Sequence, residues 1–117
     1  MTASRQQVID FLGEFKHLIE LNRFHFVQRL ESNKTIVTLG LTKNNARREL
    51  LSLSVSDFSS GPTQDREIAA QEFWIFGKEL RGIEAYIKLK IYEVNGIHYA
   101  KCVSFHEAEF KMKHPFQ

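Results

Sequence analysis

The chain begins with a segment in which apolar residues recur every three or four positions, the spacing that places them on one side of an α-helix. Residues 4–21 carry this pattern, with apolar positions at Val8, Phe11, Leu12, Phe15, Leu18 and Ile19. Ser4 stands where an N-cap is expected, since a serine hydroxyl accepts a hydrogen bond from the first turn of a helix. The pattern predicts an amphipathic helix that packs against a core.

The middle of the chain shows shorter patterns. Residues 23–30 alternate between apolar and polar positions and predict a short extended segment, whereas residues 34–39 predict a short helix. Lys43–Leu51 predicts a further helix, with its apolar residues on one side and two arginines on the other. Residues 53–65 are rich in Ser, Asp, Gly and Pro, a composition that predicts turns.

The last part of the chain predicts three strands. They cover Glu72–Leu80, residues 84–94 and residues 97–105, and Asn95-Gly96 between the last two is a strong hairpin signal. We therefore predict one α+β domain over residues 1–117, in which N-terminal helices (1–52) pack on a C-terminal antiparallel β-meander (72–113).

The middle strand of the predicted meander separates two kinds of residue. Ala85, Ile87, Leu89 and Ile91 share one face, and Tyr86, Lys88, Lys90 and Tyr92 share the other. The first set suits a core. The second set mixes cations with aromatic rings, which suits an RNA-binding surface because lysines bind phosphates and rings stack on unpaired bases. A solvated sheet face is the alternative interpretation.

The last strand changes its alternation near the end. Val103 and Phe105 are predicted to enter the core, which turns Cys102 and Ser104 toward the polar face. After Phe105 the apolar residues stand at even positions, as at Ala108 and Phe110. The two-residue alternation of a strand can shift in this way only where an extra residue is inserted. We therefore predict a bulge or turn between Phe105 and Ala108. His106 lies at this break. A bulge would re-aim its side chain toward a functional site, and the alternative is a histidine that is half-buried at the end of a strand.

Composition and charge exclude several classes of protein. Leu, Ile, Val and Phe number 36 of 117 residues, about 31%, which is too many for a disordered chain. The formal net charge is only +2, so a basic surface must come from the sorting of charges onto one face. A single cysteine, together with the lack of a long apolar run or a signal-peptide core, predicts a cytoplasmic protein without disulfides or membrane spans.

Histidine and cysteine bind metal ions in many proteins, but three of them in the last strand are too far apart to bind one ion together. His98, Cys102 and His106 are spaced four residues apart, which is about 13 Å along a strand, so they cannot share one ion. We predict no metal and no cofactor. RNA cleavage without a metal stays possible, because the ribose 2′-OH is the nucleophile and the protein supplies only acid/base groups and positive charge.

Several short motifs in the second half resemble those of MqsR-type toxins from bacterial toxin–antitoxin pairs. They are Ser56-Asp57-Phe58, the strand with Trp74, Tyr86-Ile87-Lys88-Leu89-Lys90-Ile91, and Val103-Ser104-Phe105. The resemblance implies a RelE-like fold and an mRNA-cleaving endoribonuclease that a cognate antitoxin holds inactive. Tyr86 matches the strand tyrosine that serves the family's active site, and His106 stands where the family has a catalytic lysine.

The sequence and the resemblance together predict a catalytic group and a set of substrate contacts. His106 is the expected acid or base, Tyr86 orients or stacks on the RNA, and Lys88 stabilises the phosphate. The predicted substrate-binding residues are Lys78, Arg81 and Lys90, with Arg47 and Arg48 as weaker candidates. Asp57 is predicted to cap a turn. The alternative function is a non-catalytic module that binds RNA or protein on the Tyr86/Lys88/Lys90 face.

Overall fold

The computed structural model describes residues 2–27 and 42–117, so the helix predicted over residues 34–39 lies outside the described residues. The described elements, in chain order, are α1 (Arg5–Glu20), β1 (Phe24–Phe26), α2 (Lys43–Leu51), a 3-10 turn (Val55–Asp57), β2 (Phe58–Gln64), β3 (Glu72–Leu80), β4 (Ile83–Val94) and β5 (Ile97–Glu107). The α+β class is confirmed. No helix among these described elements is both long and apolar enough to cross a membrane.

Helix α1 forms as its apolar spacing predicts. The Ser4 hydroxyl accepts from the Gln7 amide at 3.2 Å, and the Gln7 side chain accepts from the Ser4 amide at 2.8 Å, so two amides of the first turn are paired. The predicted apolar residues of this helix are buried, and Val8, Phe15 and Ile19 have no exposed surface. They form the core together with the inner face of the sheet.

The sheet has five strands in the order β1-β5-β4-β3-β2. Three neighbouring pairs are antiparallel, but β1 runs parallel to β5, with Phe24 opposite Ala100 and Phe26 opposite Cys102. The predicted meander of β3, β4 and β5 is antiparallel as expected, and the added strand β1, which was not predicted to join it, makes the whole sheet mixed. No hairpin joins β1 to β5, because the rest of the sheet lies between them in the chain, so their relative direction is not fixed by a tight turn.

The turn-rich segment 53–65 was predicted without a strand, and this prediction is wrong. It contains β2, an edge strand whose pairing with β3 is interrupted after Phe58 and again after Ser60. Proline and glycine are tolerated in such a strand because an edge needs fewer ladder hydrogen bonds. At Gly61 the backbone has φ +118° and a Cβ would lie 2.7 Å from the Phe73 carbonyl oxygen, so the close approach of β2 to β3 requires glycine.

The bulge in β5 lies earlier than predicted. Lys88 pairs with Ser104 while Leu89 pairs with Cys102, so Val103 is the extra residue. The placement of two side chains therefore differs from the prediction. Cys102 belongs to the core instead of the polar face, Val103 lies on the polar face, and Phe105 is in the core as expected.

The residues after Glu107 form no strand, so the predicted sheet boundary at residue 113 is wrong. The tail instead folds back on the sheet. The Met112 amide donates to Glu84 Oε1 at 3.0 Å, and the Phe116 ring stacks on Phe58 with centroids 5.7 Å apart. Gly77 makes room for this tail, because a Cβ there would lie 2.7 Å from Met112 Sδ.

Candidate active site

The sheet face turned away from α1, here called the open face, carries paired side chains from β4 and β5. Tyr86 lies opposite His106, and Lys88 lies opposite Ser104. Directly opposite residues of an antiparallel pair have side chains on the same face within contact distance. The structure therefore brings the three predicted catalytic residues, His106, Tyr86 and Lys88, into one group.

Tyr86 and His106 form a stacked aromatic pair. Their ring centroids are 4.9 Å apart and the ring planes differ by 15°. Both side chains are partly buried, and burial raises the pKa of the Tyr86 phenol above its ordinary value. Tyr86 therefore keeps its proton at neutral pH and acts as a hydrogen-bond donor.

The backbone fixes the tautomer of the neutral His106 ring. Nδ1 lies 2.9 Å from the Glu107 carbonyl oxygen. A carbonyl oxygen only accepts, so Nδ1 donates and carries the hydrogen. In the neutral ring the lone pair is then on Nε2.

Lys88 lies over an aromatic ring of the neighbouring strand. Its Nζ is 4.0 Å from the centroid of the Phe73 ring, a distance at which the ring attracts the ammonium group. Ser104, its partner across the strands, is 7% exposed. Lys88 thus holds a positive charge on the open face, one pair of residues away from Tyr86 and His106.

Lys90 has a different environment from the one expected of a substrate contact. Its Nζ forms an ion pair with Asp65 Oδ2 at 3.1 Å, and both side chains are buried. Asp65 Oδ1 also accepts from the Glu67 amide at 2.8 Å, and this hydrogen bond is the main reason that the pKa of Asp65 is lowered. Lys90 therefore anchors the loop of residues 65–71 over the open face.

Two further residues that were predicted to bind the substrate lie away from Tyr86, His106 and Lys88. Lys78 projects from the α1 side of β3, where it forms an ion pair with Glu49 at 3.1 Å and a hydrogen bond with the Ser52 hydroxyl. Arg81 is exposed in the turn between β3 and β4. The structure does not bring either residue to the Tyr86–His106 pair.

Two residues considered outside the main site have structural contacts. Asp57 Oδ2 accepts from the Ser54 amide at 2.8 Å, so the predicted role as a cap is confirmed. Arg47 Nη2 donates to the Ile19 carbonyl oxygen at 2.7 Å and ties α2 to the end of α1. Asp57 therefore stabilises the 3-10 turn, and Arg47 stabilises the packing of the two helices.

Two residues of the open face are not among the predicted site residues. Lys101 lies opposite Lys90, and Tyr99 lies opposite Tyr92. Counting outward from the two-residue Asn95-Gly96 turn gives both pairs, so the hairpin register was the signal that could have found them. Lys101 lines a cleft of about 450 Å³ together with Phe73, Lys88, Lys90, Val103 and the 65–68 loop.

The described residues contain no group of three or more His, Cys, Asp or Glu side chains that could hold a metal ion. The Cys102 thiol is 1% exposed, and burial strongly raises its pKa. Its Sγ donates to the Ser104 carbonyl oxygen at 3.4 Å. Cys102 is therefore a core residue and not an available nucleophile.

Comparison of the chain with protein-family models, with curated proteins and with solved structures finds no match. The resemblance to MqsR-type toxins therefore stays a prediction from the sequence motifs.

Proposed function

We propose that the protein is a metal-independent endoribonuclease that cleaves mRNA, with His106 as the acid/base group. The observation that carries this proposal is the stacked Tyr86–His106 pair beside Lys88 on the open face. It combines a proton acceptor, a hydrogen-bond donor and a positive charge in one place. These are the groups that phosphodiester cleavage by the 2′-OH needs.

The chemistry assigns one task to each of the three residues. His106 Nε2 takes the proton of the ribose 2′-OH, whose oxygen then attacks the adjacent phosphorus. Lys88 stabilises the negative charge that develops on the phosphate oxygens, and the Tyr86 hydroxyl donates a hydrogen bond to the same group. The bond to the 5′-oxygen breaks, and that oxygen takes a proton from water. The products are a 2′,3′-cyclic phosphate and a 5′-hydroxyl end.

The proposal includes a partner, because an active ribonuclease in the cytoplasm of its own cell must be restrained. The resemblance to MqsR-type toxins implies that this partner is a cognate antitoxin. We therefore place the protein in the cytoplasm as the toxin component of a toxin–antitoxin pair. Its substrate is mRNA, and the reaction uses no cofactor.

Induced expression in a bacterial host tests the proposal. Wild-type protein should arrest growth and create new 5′ ends in total mRNA, and His106→Ala should abolish both effects. His98→Ala is the matched control, because His98 is on the same strand but is exposed and contacts Glu14 of α1. This control should arrest growth as the wild type does.

Two results would contradict the proposal. One is normal growth and unchanged mRNA in cells that contain soluble wild-type protein. The other is growth arrest that His106→Ala does not relieve. Either result would remove His106 from the chemistry, and the first would also remove the ribonuclease activity.

A non-catalytic RNA-binding module is the second candidate function. The observation that favours it is the concentration of three lysines, Lys88, Lys90 and Lys101, around the Phe73 cleft and beyond the Tyr86–His106 pair. This alternative predicts that the purified protein binds RNA, that His106→Ala binds RNA equally well, and that no cleavage product forms at any protein concentration.

A further inference from the structure

We infer that the RNA site extends along β4 to a second aromatic pair, Tyr92 and Tyr99, so that the bound ligand is a single-stranded RNA segment of at least about four nucleotides. This inference rests on the proposed function for its ligand class. It adds a second stacking platform, which lies at the opposite end of β4 from the proposed cleavage site.

The second pair repeats the geometry of the first. Tyr92 and Tyr99 are directly opposite each other on β4 and β5, with ring centroids 5.5 Å apart and planes that differ by 22°. Both side chains are partly exposed, so their rings are accessible from the open face. Unstacked bases bind to such rings with about 1–3 kcal/mol each, whatever the base.

The residues between the two aromatic pairs are positively charged. Lys90 and Lys101 are directly opposite each other, an arrangement that destabilises a sheet because like charges repel. Asp65 neutralises Lys90, whereas Lys101 has no ion-pair partner among residues 2–27 and 42–117. Its Nζ lies 5.9 Å from the centroid of the Tyr92 ring. A phosphate bound beside Lys101 would neutralise the charge of this lysine.

The length of this track sets the size of the ligand. Tyr86 and Tyr92 are six residues apart on one strand, which corresponds to about 20 Å. An aromatic pair stands at each end, and the cleft of about 450 Å³ lies between them, walled by the 65–68 loop. A dinucleotide is too short to contact both aromatic pairs at once, whereas a hexanucleotide would contact both pairs and the lysines.

Binding of RNA of two lengths tests the inference. The probes are a fluorescein-labelled hexanucleotide and a dinucleotide, both of randomised sequence, and the protein carries His106→Ala so that the RNA stays intact. Tyr99→Leu should weaken hexanucleotide binding roughly 5- to 150-fold, and it should weaken dinucleotide binding less, because a dinucleotide can bind at the Tyr86 end instead. Tyr99→Phe keeps the ring and should bind as the parent does, which separates stacking from a folding defect.

A charge variant provides the second readout. Lys101→Gln should reduce the slope of log affinity against log salt by about 0.7 for the hexanucleotide, the value for one lost phosphate contact on a single strand. Arg5→Gln is the matched control, since Arg5 is exposed on α1 at the opposite layer of the molecule. It should leave the slope unchanged.

The possible failures are distinguishable. If the parent protein binds the hexanucleotide and Tyr99→Leu and Lys101→Gln bind it equally well, the extended track is overturned while the proposed function stands. If the wild-type protein binds neither RNA, both the track and the proposed function are overturned.

Discussion

Tyr86 and His106 occupy directly opposite positions on β4 and β5, and their rings stack with centroids 4.9 Å apart. The stack holds the imidazole plane while the Glu107 carbonyl oxygen fixes its tautomer. An acid/base group needs both kinds of restraint, because proton transfer depends on the direction of the nitrogen lone pair. The β5 bulge at Val103 makes this arrangement possible, since it moves residue 106 onto the open face.

Substitutions of Tyr86 separate its ring from its hydroxyl. We expect Tyr86→Phe to reduce RNA cleavage about 2- to 10-fold, because it removes one hydrogen bond worth about 0.5–1.5 kcal/mol. Tyr86→Leu should reduce it further, because His106 also loses its stacking partner. The measurement is the single-turnover cleavage rate. Equal rates for the two variants would show that the stack does not position His106.

The buried ion pair between Asp65 and Lys90 should stabilise the loop over the open face. Asp65→Asn leaves the Lys90 charge buried without its partner, so we expect a clear fall in the midpoint of thermal unfolding. Asp65→Asn combined with Lys90→Met should recover most of this loss, because no charge is then buried. A double variant less stable than Asp65→Asn alone would argue against this account.

The ion pair between Asp65 and Lys90 also predicts that the stability of the protein depends on pH in the acidic range. The pKa of Asp65 is lowered in the folded protein, mainly by the hydrogen bond from the Glu67 amide. The contribution of Asp65 to the free energy of unfolding is therefore fully present above its ordinary pKa of 3.8. That contribution is lost as the pH falls through the lowered pKa. The stability difference between wild type and Asp65→Asn should therefore shrink in this acidic range, as measured by denaturant unfolding.

His98 gives the opposite pH dependence. Its Nδ1 lies 2.6 Å from Glu14 and its Nε2 lies 3.2 Å from Glu93, and Glu14 is the main cause that raises the pKa of His98. The stabilisation is fully present below the ordinary value of 6.5 and is lost as the pH rises through the raised pKa.

We therefore expect His98→Gln to lower the midpoint of thermal unfolding more at about pH 5.5, below the ordinary pKa of histidine, than at an alkaline pH above the raised pKa of His98. Because the pair is exposed, high salt should reduce the effect. A difference that grows toward pH 9 would contradict the ion pair with α1.

The position of Cys102 predicts slow chemical labelling. The thiol is buried and its pKa is strongly raised, so thiol reagents should react only when the protein opens. We expect the labelling rate in native buffer to be at least about 100-fold lower than in denaturant. Since Cys102 is the only cysteine, the assay reports this site alone. Rapid native labelling would instead place the thiol on the open face.

The sequence predicted most elements that depend on regular spacing. The three- and four-residue spacing gave α1, the apolar and aromatic run gave β3, and the alternation in β4 gave the face that carries Tyr86 and Lys88. The hairpin signal Asn95-Gly96 gave the junction of β4 and β5. In α1 and β4 the residues recur clearly between a buried and a polar side, whereas β3 is marked by its apolar and aromatic content.

The features that it did not predict depend on contacts between distant residues. Asp65 and Lys90 are 25 positions apart, so nothing local indicated that this lysine is neutralised. Lys78 follows a stretch of β3 that is apolar on both faces, so alternation could not show which face it occupies. The sequence of β2 resembles a turn because it contains glycine and proline. A strand tolerates these residues at the edge of a sheet, and the sequence alone does not show that β2 lies there.

The most direct test of the central claim is cleavage of single-stranded RNA by the purified protein in the presence of a metal chelator. The account predicts products with 2′,3′-cyclic phosphate and 5′-hydroxyl ends, no product from the fully 2′-O-methylated RNA, and a loss of about 100- to 10,000-fold in His106→Ala with RNA affinity retained. Cleavage of the 2′-O-methylated RNA, or equal rates for wild type and His106→Ala, would contradict it.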